Sequence, residues 1–168
     1  MGMYLLNDEI KIYDVDYVYR KYLHHFDYRV NLKPNRRFMG VIVITDGIHY
    51  LIPLTSHPKR KNGKRRNPRT TVEIFDESGE MIAALLINNM IPVPGDCYNL
   101  VDIPNDRDKD YLNSENIYLR KIRVKEEILR KVGNIRESVM IHHDNFMTEF
   151  CCDFKLLEKK MLDWISSH

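Results

Sequence analysis

The chain has few cysteines, and they follow no framework spacing. There are three among 168 residues, Cys97, Cys151 and Cys152. An odd number without regular spacing is a poor disulfide framework, and no two of them form a C-x-x-C pair. The histidine doublets at 24–25 and 142–143 lack the i, i+4 spacing that places two imidazoles on one helix face. We therefore expect no disulfide scaffold, no structural zinc site and no other cofactor.

A long apolar run is also missing. No stretch reaches the roughly 18 apolar residues that suggest a membrane-spanning helix. Residues 1–10 mix Asn, Asp and Glu into a short apolar stretch without a preceding basic region, so no secretory signal is visible. Because 43% of the 168 residues are hydrophobic, the chain can bury one core. We expect a single soluble domain over residues 1–168, located in the cytoplasm.

Positive charge is concentrated in one segment, residues 57–69, which we call the basic segment. It holds seven cations and no acid, and subtracting them from the net charge of +2 leaves −5 for the remainder. The cations are Lys59, Arg60, Lys61, Lys64, Arg65, Arg66 and Arg69. Its prolines, asparagines and glycine indicate an exposed loop. Such a loop can neutralise the phosphates of a nucleic acid, or it can be a solvated surface.

Apolar spacing predicts the elements of the first hundred residues. A helix is expected from Val15 to Phe26, with Asp14 as its N-cap. Two β-prone runs, 38–45 and 49–54, flank Asp46-Gly47 and indicate a hairpin. Further strands are expected at 71–75 and 81–87, with short extended pieces at 90–93 and 98–103.

The last third is predicted to be helical. One helix is expected over residues 117–132 with Ser114 as its cap, followed by a break at Gly133. Another is expected over 134–146, and a last one from the N-cap Asp153 to Ile165. Helices lie on either side of a block of strands in the sequence, so the pattern indicates an α+β fold rather than βαβ alternation.

Thr55 and Ser56 end the second hairpin strand, and His57, Pro58 and Lys59 follow. A Thr-Ser pair in this position is commonly turn chemistry, in which the hydroxyls bond the local backbone. Here the hydroxyls meet an imidazole and a cation. Metal-free RNA cleavage needs a base, an acid and positive charge around a 2′-hydroxyl and its neighbouring phosphate, and this cluster can supply them. No P-loop, G-x-S-x-G or H-E-x-x-H motif competes with it.

Five segments along the chain carry a resemblance to one family. They are Phe38-Met-Gly-Val-Ile-Val-Ile44, Tyr50-Leu-Ile-Pro-Leu-Thr-Ser56, Ile87-Asn-Asn-Met-Ile-Pro-Val93, Tyr118-Leu-Arg-Lys-Ile-Arg123 and Cys152-Asp-Phe-Lys-Leu-Leu-Glu158. In this order they resemble the ToxN/AbiQ toxins, which are the protein halves of type III toxin–antitoxin systems. The resemblance extends over nearly the whole chain.

This resemblance implies a fold, a reaction and partners. The fold would be a strongly bent antiparallel sheet or partial barrel, comparable in core to the Kid/MazF toxins, surrounded by helices. The reaction would be metal-independent endoribonuclease cleavage of cellular or phage RNA, leaving a 2′,3′-cyclic phosphate. The inhibitor would be a small repeated non-coding RNA antitoxin that folds as a pseudoknot and that the toxin can also process. A closed protein–RNA oligomer and a role in abortive phage infection are expected.

The resemblance also implies site residues. The family's Thr-Ser-Pro-Lys motif maps onto Thr55, Ser56, Pro58 and Lys59, with His57 as an extra residue. A second family lysine falls near Arg36, which can stabilise charge but, always protonated, cannot act as a base. We assign Ser56 or Thr55 to orienting the scissile phosphate or the attacking hydroxyl. Lys59 and Arg36 would stabilise the phosphorane, and His57 would carry the proton.

Further residues are expected to contact RNA outside the catalytic cluster. They are Lys33, the remaining cations of the basic segment, and Tyr118, Arg120 and Arg123 on a predicted helix. Tyr118 could stack on an exposed base or belong to the core. Two alternatives to the nuclease stay open: an RNA-binding module without catalysis, and a protein-binding toxin or adaptor. Phosphate contacts by several cations would give a steep salt dependence of RNA affinity, which the adaptor would lack.

Overall fold

A computed structural model describes residues 4–44, 46–56 and 62–168. In these ranges seven strands and five helices occur. The first six elements are β1 (Tyr4–Val15), α1 (Tyr17–Phe26), β2 (Arg37–Ile44), β3 (His49–Thr55), β4 (Thr71–Phe75) and β5 (Met81–Leu86). They are followed by β6 (Ile91–Pro92), β7 (Tyr98–Leu100), α2 (Lys109–Leu119), α3 (Ile122–Met140), α4 (Asn145–Phe150) and α5 (Phe154–Ser167).

The strands form one antiparallel sheet. Its order is β4-β5-β3-β2-β1-β7, and β6 pairs with β3 off this path. The sheet ends at β4 on one side and β7 on the other, so it is open rather than closed into a barrel. Register shifts interrupt the β1–β2 and β2–β3 pairings. The predicted α+β class, an antiparallel sheet surrounded by helices, is confirmed.

The hairpin of β2 and β3 is the centre of the core. Nearly every residue of both strands is buried, which indicates a sheet covered on both faces rather than the alternation of a half-exposed one. The turn between them places Gly47 at φ +79°, a conformation that glycine adopts without steric cost. The predicted hairpin is therefore confirmed, and its β3 strand leads directly to Ser56.

The start of the chain was predicted incorrectly. A twelve-residue strand, β1, precedes the first helix. The cap of α1 is Asp16 rather than Asp14, because the Asp16 carboxylate accepts a hydrogen bond from the amide of Val18 at 2.9 Å. Polar residues between Asn7 and Lys11 hide the strand in the sequence. Pairing with β2 and β7 stabilises it, and such pairing is not visible in local propensity.

Two helices replace the one predicted over residues 117–132. The first, α2, begins after Asp108 rather than at Ser114, and Arg120 and Lys121 separate it from α3. Gly133 does not break α3, which continues to Met140. A Cβ at Gly133 would lie 3.3 Å from the ring of Tyr4, so the glycine allows β1 to approach. The helix predicted over 134–146 is thus the end of α3, a short turn and the start of α4.

The C-terminal helix was predicted correctly and is tied to the N-terminal half. Asp153 caps α5 by accepting from the amide of Leu156 at 3.2 Å. The buried carboxylate of Asp27, after α1, accepts from the amide of Asp153 at 2.7 Å and from Arg29 Nε at 2.8 Å. Arg29 also donates to the carbonyl of Thr148 in α4 at 2.7 Å. We call these contacts the C-terminal junction.

A second buried polar group joins the sheet to α3 and α5. The hydroxyl of Tyr50 donates to Glu158, and Arg136 donates to the same carboxylate from Nη2 at 2.8 Å and Nε at 3.2 Å. Burial, and then the negative charge of Glu158, raise the pKa of Tyr50. We call these three residues the Tyr50 cluster. In it, every charged group has a partner of opposite charge.

Within the described ranges, no helix combines the length and apolar character that crossing a bilayer requires.

Candidate active site

A cavity of about 310 Å³ opens where β3 ends, and we call it the β3 cavity. Two walls form it. One consists of the segment before β2, the start of β2 and the end of β3, with Lys33, Asn35, Arg36, Arg37, Leu54 and Ser56. The other is the first half of α2, with Asp108, Tyr111, Leu112 and Glu115.

Strand register brings Arg36 to the predicted hydroxyls. Arg37 pairs with Leu54 across the antiparallel β2–β3 ladder, so the residue before Arg37 lies beside the residues after Leu54. The Arg36 guanidinium donates from Nη1 to the carbonyl of Leu54 at 3.0 Å. Two residues separated by 20 positions in the sequence, Arg36 and Ser56, thereby share one cavity.

The two candidate hydroxyl residues lie in different environments. Thr55 is 2% exposed and pairs with Ala84 of β5. It does not line the cavity, whereas the next residue, Ser56, is exposed and does. Ser56 is therefore the hydroxyl that a ligand in the cavity can reach.

Three guanidinium groups concentrate positive charge behind the cavity. Burial lowers the pKa of Arg36, and the charges of Arg66 and then Arg20 lower it further. Arg20 is 3% exposed and donates from Nη1 to the carbonyls of Asn31 and Lys33, at 3.2 and 3.1 Å. Within the described part of the chain, Nε of Arg36 is buried without a hydrogen-bond partner. An anion in the cavity would relieve this repulsion.

Arg37 has a structural role. Its guanidinium bridges Asp14 of β1 at 2.6 Å and Asp106 at 2.5 Å. These pairs attach the segment before α2 to the sheet and hold the two walls together. Because its charge is matched by two carboxylates, Arg37 contributes less to anion binding than Arg36 does.

The helical wall supplies a tyrosine and an acid. The hydroxyl of Tyr111 donates to the carbonyl of Ile82 at 2.6 Å and lies 3.4 Å from that of Ser56. One turn later stands Glu115, which is 2% exposed. Burial raises the pKa of Glu115 to about 8, so the carboxyl group carries a proton at neutral pH. Its Oε2 atom is buried with no hydrogen-bond partner among the described residues.

The basic segment is only partly described. His57, Lys59, Arg60 and Lys61 lie outside the described residues. Of the remaining cations, Arg65 forms an ion pair with Glu73 of β4, and Lys64 is exposed. Arg69 is exposed on another groove, of about 550 Å³, beside Arg130 and Lys131 of α3. Of these, only Arg66 is linked to the β3 cavity, through its charge on Arg36.

The residues predicted on the helix lie away from the cavity. Tyr118 is half-buried and packs against the core. Arg120 and Arg123 are exposed on either side of the α2–α3 boundary and border two other surface grooves. These contacts favour the predicted alternative in which Tyr118 belongs to the core.

The sequence reasoning missed the whole helical wall. Tyr111 and Glu115 have the i, i+4 spacing of residues on one helix face. This spacing was the sequence signal that could have identified the helical wall. It was missed because α2 was predicted to start later. Arg20 was also missed, since it occurs among the apolar residues of α1 as an ordinary surface cation would. Among the described residues, no group of three or more His, Cys, Asp or Glu side chains is placed to hold a metal ion.

The site defines a class of activity. A cavity walled by cations, with a reachable hydroxyl and a neutral carboxyl group, suits a phosphodiester rather than a neutral small molecule.

Comparisons with known proteins point to one family. Residues 11–162 match the family model described as toxin ToxN of type III toxin–antitoxin systems. The chain is 30% identical to endoribonuclease ToxN of Bacillus thuringiensis subsp. kurstaki, over 94% of this chain and 85% of that protein. It is 27% identical to endoribonuclease AbiQ of Lactococcus lactis subsp. lactis, over 93% and 90% of the two chains.

Solved structures show the same fold. One, from work on selective toxin inhibition by a non-coding RNA pseudoknot, superposes with a TM-score of 0.82 at 27% identity and covers 94% of this chain and 98% of its own. The AbiQ structure also gives a TM-score of 0.82, at 24% identity, with coverage of 94% and 99%. The chain belongs to the ToxN family of toxins from type III toxin–antitoxin systems.

Proposed function

We propose that this protein is an endoribonuclease toxin that cleaves RNA without a metal ion, by attack of a ribose 2′-hydroxyl on the neighbouring phosphate. The products are a 2′,3′-cyclic phosphate and a 5′-hydroxyl. It acts in the cytoplasm on cellular or phage RNA. The observation that carries this proposal is the β3 cavity, in which Arg36 and the reachable hydroxyl of Ser56 face the same space.

The cavity supports a phosphate site for a physical reason. Arg36 is half-buried, its pKa is lowered by burial and by two neighbouring guanidiniums, and its Nε has no partner among the described residues. A phosphate oxygen would supply the missing acceptor and neutralise the repulsion. In a partly desolvated site such a contact is stronger than in water, and it strengthens as charge builds on the phosphorane.

Roles follow for the predicted residues. Ser56, with Thr55 behind it, orients the scissile phosphate or the attacking 2′-hydroxyl. Arg36 and Lys59 stabilise the pentavalent phosphorane, and His57 accepts the proton of the 2′-hydroxyl. Lys33 lines the same cavity and is placed to hold a flanking phosphate.

The inhibitor in this proposal is a repeated RNA that folds as a pseudoknot. The toxin also processes its precursor, and toxin and RNA close into an oligomer. Support comes from family membership and from the cations outside the cavity. Lys64, Arg69, Arg120 and Arg123 are exposed, so their charges are accessible to phosphates outside the cavity.

One assay tests the reaction. Purified protein is incubated with total RNA in EDTA and, separately, with magnesium, and the new ends are identified by mass spectrometry. We expect equal cleavage in both and fragments ending in a 2′,3′-cyclic phosphate. Strict dependence on magnesium, or 3′-hydroxyl ends, would overturn the mechanism, and RNA binding without any cleavage would support the non-catalytic module instead.

Variants test the site. Ser56→Ala and Lys59→Ala should each abolish growth inhibition and RNA cleavage while leaving the melting temperature unchanged. Ser167→Ala, near the end of α5 and outside the cavity, is the matched control and should stay active. Normal cleavage by both site variants would show that the catalytic groups are elsewhere.

A further inference from the structure

The reaction proposed above uses one wall of the β3 cavity and leaves the other unexplained. Glu115 lines the cavity from α2, is 2% exposed and has an Oε2 atom without a hydrogen-bond partner among the described residues. Buried polar atoms are normally satisfied, so an orphaned carboxyl oxygen in the wall of a cavity needs an explanation. A structural role provides none, because Glu115 caps no helix and forms no ion pair within the described part of the chain.

Glu115 stands within reach of the phosphate site. Tyr111, one turn earlier on α2, brings its hydroxyl to 3.4 Å from the carbonyl oxygen of Ser56. Residues at i and i+4 of a helix have Cβ atoms about 5–6 Å apart, so Glu115 leaves α2 on the same face as Tyr111, and both line the cavity with Ser56 and Arg36. The cavity therefore places Ser56 and Arg36 on one side of a bound phosphate and Glu115 on the other.

Opposite walls suit opposite roles in this reaction. In an in-line displacement at phosphorus, the attacking and leaving oxygens lie on opposite sides of the phosphorus atom. The group that removes the proton from the 2′-hydroxyl and the group that protonates the leaving oxygen thus belong on different walls. Arg36 cannot serve as either, because a guanidinium group accepts no further proton and does not release the one it holds.

We propose that Glu115 is the general acid of RNA cleavage, donating its carboxyl proton to the 5′-oxygen as the P–O5′ bond breaks. The 2′-oxygen forms the new bond to phosphorus and gives its proton to the base. The products are a 2′,3′-cyclic phosphate, a 5′-hydroxyl and the Glu115 carboxylate, which water reprotonates. This inference rests on the proposed function, since it assigns a step of that reaction.

The protonation state of Glu115 fits this role. Burial raises its pKa to about 8. Facing it across the cavity or along α2 are Lys33, Arg36, Arg37, Asp108 and Tyr111. Of the acids on elements packed against α2, Asp14 is paired with Arg37 and Glu73 with Arg65, while α3 presents the exposed Arg123. An acid must be protonated to act, so the cleavage rate should fall as pH rises through about 8.

The test compares two leaving groups. Wild type, Glu115→Gln and the control Glu126→Gln, an exposed position on α3, are assayed on an RNA oligonucleotide and on the same oligonucleotide with sulfur in place of the bridging 5′-oxygen. A thiolate leaves without protonation. We expect Glu115→Gln to cleave the ordinary substrate about 100-fold more slowly, and the sulfur substrate within a few-fold of wild type. Glu126→Gln should match wild type on both.

Each other outcome has a definite meaning. Equal slowing on both substrates would show that Glu115 only shapes the cavity, and normal cleavage of the ordinary substrate would show that it is not needed; either overturns the inference. The ratio of the two rates is measured on one preparation, so partial unfolding cancels. If Glu115→Gln does not fold, wild type suffices: the alkaline fall in rate must be present with oxygen and absent with sulfur.

Failure of the underlying mechanism would look different. In that case wild type itself would release no 2′,3′-cyclic phosphate from the ordinary substrate.

Discussion

Two buried polar regions of this molecule are built on opposite principles. In the Tyr50 cluster, Arg136 and Tyr50 both donate to Glu158, so each charge is matched. In the β3 cavity, Arg36 has two guanidinium neighbours, and Glu115 keeps an oxygen without a partner among the described residues. Both regions contain buried polar groups, yet only in the second do such groups lack partners among the described residues.

The difference separates groups that stabilise the fold from groups available for a ligand. Burial lowers the pKa of Arg136, but the hydrogen bonds that Arg136 donates to Glu158 outweigh burial and raise it. No carboxylate offsets burial at Arg36 in this way, and the pKa of Arg36 is lowered. A protein tolerates unmatched buried groups where a ligand or a reaction makes use of them. The following predictions test this contrast, from the largest expected effect to the smallest.

Breaking the Tyr50 cluster should destabilise the fold most. Glu158→Ala leaves Arg136, whose side chain is 14% exposed, without its partner, and we expect a loss of about 3–5 kcal/mol in the free energy of unfolding. Urea denaturation measures it. The double variant Arg136→Met/Glu158→Leu should recover much of the loss, because it removes both charges. A stability loss below about 1 kcal/mol for Glu158→Ala would contradict the contrast.

Removing Arg36 should impair RNA cleavage without destabilising the fold. We expect Arg36→Ala to lower the rate of RNA cleavage about 10²- to 10³-fold, the usual effect of losing one donor to a developing charge. Its melting temperature should stay the same or rise, because repulsion with Arg66 and Arg20 is removed. Lys155→Ala, exposed on α5, controls for the loss of a cation and should keep full activity. A large fall in melting temperature would show that Arg36 stabilises the fold and would contradict this contrast.

The stability of the protein should depend on pH through Glu115. Its pKa is about 8 in the fold against 4.5 ordinarily, so the folded state holds a proton that the unfolded chain releases. The favourable contribution is complete below pH 4.5 and is lost as pH rises towards 8. Glu115→Gln should therefore gain roughly 3–4 kcal/mol relative to wild type between pH 5 and pH 8. The stability of both proteins is measured against pH by thermal unfolding. Parallel curves for wild type and Glu115→Gln would contradict this prediction.

The smallest effect concerns surface cations. Lys64 is exposed, whereas Arg65 is engaged with Glu73. In the salt dependence of RNA binding, Lys64→Ala should reduce the slope of log K against log salt by up to about 0.7–1, the effect of losing one phosphate contact. Arg65→Ala should reduce it less. Equal slopes for both variants would show that pairing with Glu73 does not survive RNA binding.

Much of the fold was predictable because it follows from local pattern. The β2–β3 hairpin has two Val- and Ile-rich runs around Asp-Gly, and α5 has a capping aspartate before a regular apolar stripe. The strand β1 was not predictable, since its polar residues are stabilised by pairing with strands far away in sequence. The α2–α3 boundary was misplaced because the apolar spacing that predicted a single helix continues across Arg120 and Lys121.

The site was predictable only in part. Ser56 and Arg36 were named from the sequence through the resemblance to the family, and register explains why they lie together. The opposite wall was not found, because nothing in the local sequence shows that α2 packs over the end of β3. A glutamate such as Glu115 resembles an exposed helical acid until burial is known.

The C-terminal junction has a consequence for synthesis of the protein. Asp27 and Arg29 find their partners at Asp153 and at the end of α4, and Tyr22 donates to the carbonyl of Lys160 at 2.8 Å. A chain still on the ribosome, with its final helix inside, leaves these groups and the apolar face of α1 uncovered. These contacts join residues 119 to 138 positions apart, so the N-terminal half is fully covered only when the last helix has docked.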